Sequence, residues 1–254
     1  MAGHSHAKTI KYRKGGQDAK RSKIFTKIQR EIVVAVKMSG DDEKFNPKLR
    51  LARAKARFYN MPNDKISDAI KRGSDTGSKD NNYEECYYNI SLSGGLFILV
   101  KSLTDNKNRS ASDVRGIAGR YGASIAESST ISFLFTNLGI IKYEASKVNF
   151  ENIFEKAIEI GASDVLNGEI IEDGEEEDAS IPAIEITCEF KHFNAVKQAL
   201  EEEFGEPRLA GLEWIPNNTV EASIEVKEKA IKLIDELEER DDTSAIYTNF
   251  NTLE

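Results

Sequence analysis

The hydrophobic period of this chain is helical alone up to residue 73 and mixed after it, and that change limits what it can fold into. Between residues 17 and 73 apolar residues recur at steps of three and four, the helical period. From Tyr83 onward short runs rich in β-branched and aromatic residues, broken by turn signals, enter and alternate with further helical stretches. Nine polar residues, SDTGSKDNN at 74–82, separate the two regimes and read as a linker. A chain built this way is α+β and multidomain. Its 254 residues suffice for one large domain or two to three small ones.

The helical part divides into three. Ile24, Ile28 and Ile32 follow at steps of four, with Phe25 and Ala35 beside them, giving a helix from Gln17 to about Met38. Asn46-Pro47 opens a second helix, with Asn at the cap and Pro in the first turn, and it runs through Phe58. Met61-Pro62 opens a third, with Ile66 and Ile70 on its apolar side and Gly73 expected as its C-terminal cap. The expected fold begins with a three-helix bundle, preceded by a basic arm, MAGHSHAKTIKYRKGG.

Beyond the linker, Tyr83–Leu92 and Leu96–Leu103 read as a hairpin around Ser93-Gly94-Gly95. A helix is expected to start at Ser110, with Asp113 three residues on as a capping-box partner, and to end near Tyr121-Gly122. Ile131–Phe135 is expected to be a strand. From Gly139 to Trp214 the order is β-α-β-β-α-β, which is ferredoxin-like. A helix (Val226–Leu237) and a strand (Ala245–Phe250) complete the chain; too short for a core of their own, they are expected to return to the 83–135 region. The expected domains are 1–80 (arm plus bundle), 81–137 with 209–254 (middle α/β domain), and 138–208 (inserted ferredoxin-like domain).

Charge divides at the same place as the period. Residues 1–80 carry 20 Lys/Arg and 9 Asp/Glu; the remainder carries 15 and 34. The overall −8 therefore averages a basic segment of +11 and an acidic body of −19. One explanation is a basic domain salt-bridged to an acidic one. The other is a basic arm and bundle that engage a polyanion, carried on a body that repels it. Lys8, Lys11, Arg13, Lys14, Lys20, Arg21, Lys23, Lys27 and Arg30 face only Asp18 within residues 1–30, and Tyr12 among them can stack on an unpaired base. Arg53 and Arg57 extend the basic set along the second helix, and Arg109 adds a cation in the 104–110 turn. With ~6 phosphate contacts, affinity would fall on the order of a thousandfold from 50 to 200 mM salt. The first-helix cations crowd its N-terminal half, which its own dipole disfavours.

No other chemistry stands out. There is no P-loop, GxSxG, HExxH or GxGxxG. Cys86 and Cys188 have neither metal-ligand nor disulfide-framework spacing. His192 with Cys188 reads as a strand end, and His4 and His6 as arm residues rather than a copper or nickel site. No catalytic residue, metal site, cofactor or small-molecule substrate is expected. The longest uncharged apolar run is Leu96–Val100, so no transmembrane helix is expected, and a reducing cytoplasm fits.

Several blocks carry a resemblance. MAGHS (1–5), KYRKGGQDAKRSKIFTKIQREI (11–32), NPKLRLARAKARFYNMPNDKISDAIKRG (46–73), LTDNKNRSASDVR (103–115) and WIPNNTV (214–220) resemble the YebC/PmpR family, over nearly the whole chain. A mitochondrial relative of that family is the translational activator of cytochrome oxidase subunit one. The chain departs from the family pattern at His6-Ala7, where Lys-Trp is usual, at Tyr12, where His is usual, and at NISLSGG (89–95), where the family has GYGPGG. The resemblance implies a helical bundle, a middle α/β domain and an inserted ferredoxin-like domain, with no enzyme activity. It implies a DNA-binding transcriptional regulator, or a ribosome-associated translation factor that contacts rRNA or tRNA. A protein-interaction module associating through its charge split is the third class that composition allows.

Overall fold

The computed structural model describes residues 17–75, 83–172 and 179–250. Three helices come first: α1 (Gln17–Ser39), α2 (Pro47–Phe58) and α3 (Asn63–Ser74). Phe25, Ile28, Ile32, Val33 and Val36 bury one side of α1, while Ile24 is only half-buried. Asn46 caps α2 as its sequence position requires: its Oδ1 accepts from the Leu49 amide at 3.0 Å. Its Nδ2 donates to the Ala35 and Gly40 carbonyls, each at 2.7 Å, so one buried side chain ends α1 and starts α2.

Gly73 corrects an expectation. It is not a left-handed cap; it lies inside α3, and a Cβ there would stand 2.7 Å from the Val36 Cβ and 3.0 Å from the Val33 carbonyl. The glycine lets two helices approach, which local sequence cannot distinguish from a cap.

Two four-stranded sheets follow. The first has the order β3-β1-β2-β8, from β1 (Glu84–Ser91), β2 (Phe97–Thr104), β3 (Ser124–Ala126) and β8 (Thr243–Thr248). β1 and β2 form the expected hairpin, and β8 pairs antiparallel with β2, so the C-terminal strand does return to this sheet. α4 (Lys107–Arg120) and α8 (Ile224–Glu238) cover one face, burying Ile90, Ile98, Val100, Val114, Ile117, Leu233, Ile234 and Phe250 together. α4 starts three residues before Ser110. Its cap is Asn106, whose side chain accepts from the Arg109 amide at 3.0 Å, and Ser110 is buried within the helix. Ile131–Leu134 is a short helical turn, α5, rather than a strand, and extended structure begins at Phe135.

The second sheet has the order β5-β6-β4-β7, from β4 (Phe135–Glu144), β5 (Asp164–Glu172), β6 (Ala179–Glu189) and β7 (Leu209–Pro216). With α6 (Phe150–Glu159) after β4 and α7 (Phe193–Phe204) after β6, this is the ferredoxin-like topology. Its last strand, Leu209–Pro216, lies wholly beyond residue 208. Ile141, Tyr143, Ile184, Ile186 and Cys188 point toward α6 and α7, where Ile153, Phe193, Val196 and Leu200 meet them. The described chain divides into two compact units. One comprises Arg50–Met61 and Asn137–Trp214; the other comprises 17–49, Pro62–Thr136 and 215–250.

The alternate residues of the second sheet carry charge. Lys142 on β4 and Glu185 on β6 are cross-strand partners, buried, and 2.7 Å apart. Glu213 on β7 joins them: burial pushes its carboxyl up to about 7, with Lys142 and Lys55 opposing and Glu185 reinforcing. A glutamate that keeps its proton to about pH 7 when folded, but only to 4.5 in the reference state, binds more protons folded than unfolded. Stability therefore falls as pH rises through that window, and the cost persists above it.

Two predictions follow from this packing. Gly73→Ala lowers stability by about 1–2 kcal/mol in urea unfolding, because overpacking against Val36 outweighs the helix propensity gained. Glu213→Gln raises the melting temperature at pH 8 and leaves it unchanged near pH 4.5, as thermal melts across pH would show; equal gains at both pH values would contradict the assignment.

Candidate nucleic-acid interface

Lys23, Lys27 and Arg30 stand at steps of four and three on α1 and so share one of its faces. That face meets the C-terminal end of α8 and the turn after it. Lys23 Nζ lies 3.1 Å from the Glu239 carboxylate. Lys27 Nζ donates to the Glu238 carbonyl at 2.9 Å. Arg30 donates to Asp242 Oδ1 at 2.9 Å and to the Asp241 carbonyl, and its guanidinium lies 5.5 Å from the centroid of the Tyr83 ring. The last carbonyls of a helix lack intrahelical donors and carry partial negative charge, so cations are favoured there. Ser244 Oγ adds a hydrogen bond to Glu31, at 2.9 Å.

Arg109 reaches the same acid from the other side. It pairs with Asp105 and lies 3.6 Å from Asp242 Oδ2. The Asp105 hydrogen bond and charge, with Asp242 adding to them, raise the guanidinium above its ordinary value. Thr104 Oγ1 also donates to Asp242 Oδ2, at 3.1 Å. Asp242 thus takes Arg30 on one oxygen and Thr104 and Arg109 on the other. The structure brings together Lys23, Lys27, Arg30 and Arg109, but around an internal acidic cluster.

The other candidate residues are placed differently. Arg57 pairs with Glu206, and Arg53 is half-buried with a partner inside the protein; both belong to the unit that contains the ferredoxin-like sheet. Arg21 is exposed, its guanidinium 5.5 Å from the Phe25 centroid. Lys65 on α3 lies 5.3 Å from the same ring. Lys65 escaped the sequence argument because it stands alone among Asp64, Ser67 and Asp68; only the packing of α3 on α1 brings it to Arg21. Lys8, Lys11, Tyr12, Arg13 and Lys14, with His4 and His6, lie outside the described residues. For Lys20, only its place in α1 is described.

Other groups are less suited to chemistry. Burial pushes the Cys188 thiol up to about 11, so it stays protonated at neutral pH. Among the described residues no cluster of three or more His, Cys, Asp or Glu side chains could hold a metal ion. Nor is any described helix long and apolar enough to cross a membrane.

The basic segment and the two sheets coincide with known family models. Residues 5–76 match the TACO1/YebC protein N-terminal domain, and residues 83–250 match the TACO1/YebC second and third domain. The chain belongs to the TACO1/YebC family. A conserved hypothetical protein from Aquifex aeolicus, known from its crystal structure, is similar to it: 35% identical, over 96% of each chain, with a TM-score of 0.76. In this TACO1/YebC chain the basic N-terminal domain and the cations on α1 lie within one matched segment.

Removing the shared acceptor tests the junction. Asp242→Ala lowers stability by about 2 kcal/mol in urea unfolding, since it leaves two guanidinium groups and a hydroxyl short of an acceptor. Lys23→Ala, at the exposed end of the same face, costs roughly 0.5 kcal/mol or less.

Proposed function

We propose that this chain is a non-enzymatic, nucleic-acid-binding regulator of gene expression acting in the cytoplasm. The observation that carries the proposal is the segregation of charge: the segment matching the family's N-terminal domain lies within a stretch of net +11, on a body of net −19. A phosphate backbone is attracted to the first and repelled by the second, so engagement is confined to the basic segment. Within a DNA-binding transcriptional regulator, that segment grips the duplex backbone.

A second target is favoured by the geometry of α1. A helix reading the major groove needs a free polar face. Lys23, Lys27 and Arg30 are instead engaged with residues 238–242. What remains suits phosphate contact without base readout, and irregular RNA is recognised by shape and backbone in this way. This supports a translational role on the ribosome, with rRNA or tRNA as the polyanion.

Cosedimentation with ribosomes at about 150 mM salt, with excess duplex DNA as competitor, separates the two. Retention on ribosomes is the result expected of the translational role. Displacement by DNA favours the transcriptional one. Release from both at this salt would contradict nucleic-acid binding as the function.

A further inference from the structure

The cations of the folded bundle differ in how they are held. Lys23, Lys27 and Arg30 use their N–H donors on carboxylates and carbonyls of residues 238–242. Arg21 and Lys65 are held by a ring. Both head groups lie over Phe25, at 5.5 and 5.3 Å from its centroid, and neither has an acidic partner among the described residues. The ring itself is 7% exposed, so it is fixed in the core.

A guanidinium lying over an aromatic face uses its π surface, and its in-plane N–H groups stay available. An ammonium over a ring likewise keeps donors directed away from it. The ring therefore positions two charges without consuming their hydrogen-bonding capacity. Two like charges held at one ring raise the local positive potential, which favours an anion there. Ring contact lowers the entropy lost when the side chains close on a ligand.

We propose that Arg21 and Lys65, braced on Phe25, form a preorganised phosphodiester-binding point on the α1–α3 surface, and that Lys23, Lys27 and Arg30 contribute nothing to nucleic-acid contact. The ligand is the sugar–phosphate backbone of a nucleic acid, contacted without regard to sequence. This rests on the nucleic-acid function proposed above and divides its cations into two sets by what holds them.

The test is fluorescence anisotropy of the full chain with a labelled oligouridylate of about 20 nucleotides, over a salt series. Arg21→Ala/Lys65→Ala weakens binding roughly tenfold at about 50 mM salt and flattens the log–log salt slope by about 0.7 to 1.4, the loss of one or two phosphate contacts. Both side chains are exposed, so the substitutions spare the core. Lys23→Ala/Lys27→Ala keeps the wild-type slope and melts at a lower temperature. An unchanged slope in the first variant, or an equal loss in the second, overturns the division while wild-type binding leaves the function standing. Absence of binding by the wild-type chain overturns both.

Discussion

A single acidic turn holds the first helix to the middle sheet. Where α8 ends, its last carbonyls have no intrahelical donors, and Glu239, Asp241 and Asp242 follow immediately. Asp242 accepts from Arg30 on one oxygen and from Thr104 on the other, where Arg109 also approaches. Three segments far apart in sequence, α1, the β2–α4 turn and the α8–β8 turn, therefore share one carboxylate. The charge on α1 that looks misplaced against its own dipole is correctly placed against the opposite end of another helix's dipole.

That junction changes what the basic composition means. Of the two explanations that charge segregation allowed, intramolecular pairing accounts for Lys23, Lys27 and Arg30, and it does so inside one compact unit. Cations left on a ring rather than on an acid then stand apart as a different population. The distinction is one of donor availability, and net charge does not register it.

The second sheet poses a different problem and solves it with different chemistry. One face is apolar and takes α6 and α7. The other carries the buried Lys142–Glu185 pair with the half-buried Glu213 beside it, where Lys142 and Lys55 favour the charged carboxyl and desolvation and Glu185 oppose it. A Glu213 carboxyl raised to about 7 holds its proton below that pH and loses it above, which ties the stability of this unit to pH.

Much of this was legible in the chain itself. Asn46-Pro47 marked a helix start because an Asx cap and a first-turn proline act within four residues. The β-α-β-β-α-β order followed from hydrophobic periods and turn residues, both local. What failed were positions where two meanings share one local signal. Gly73 fits a cap and a close helix crossing equally well, and only Val36 decides between them. Ser110 with Asp113 resembles a cap, but Asn106 lies one turn earlier and its side chain is free to take the Arg109 amide. Ile131–Phe135 has the composition of a strand, yet its first four residues form a helical turn. The sequence determined which segments are helix and strand, and where charge of each sign collects, because propensity and periodicity act over a few residues. Only the tertiary structure decided that Lys27 and Arg30 face the α8 turn and that Lys65 joins Arg21 on the Phe25 ring, because those partners lie about 210 and 40 residues away along the chain, and packing alone brings them into contact.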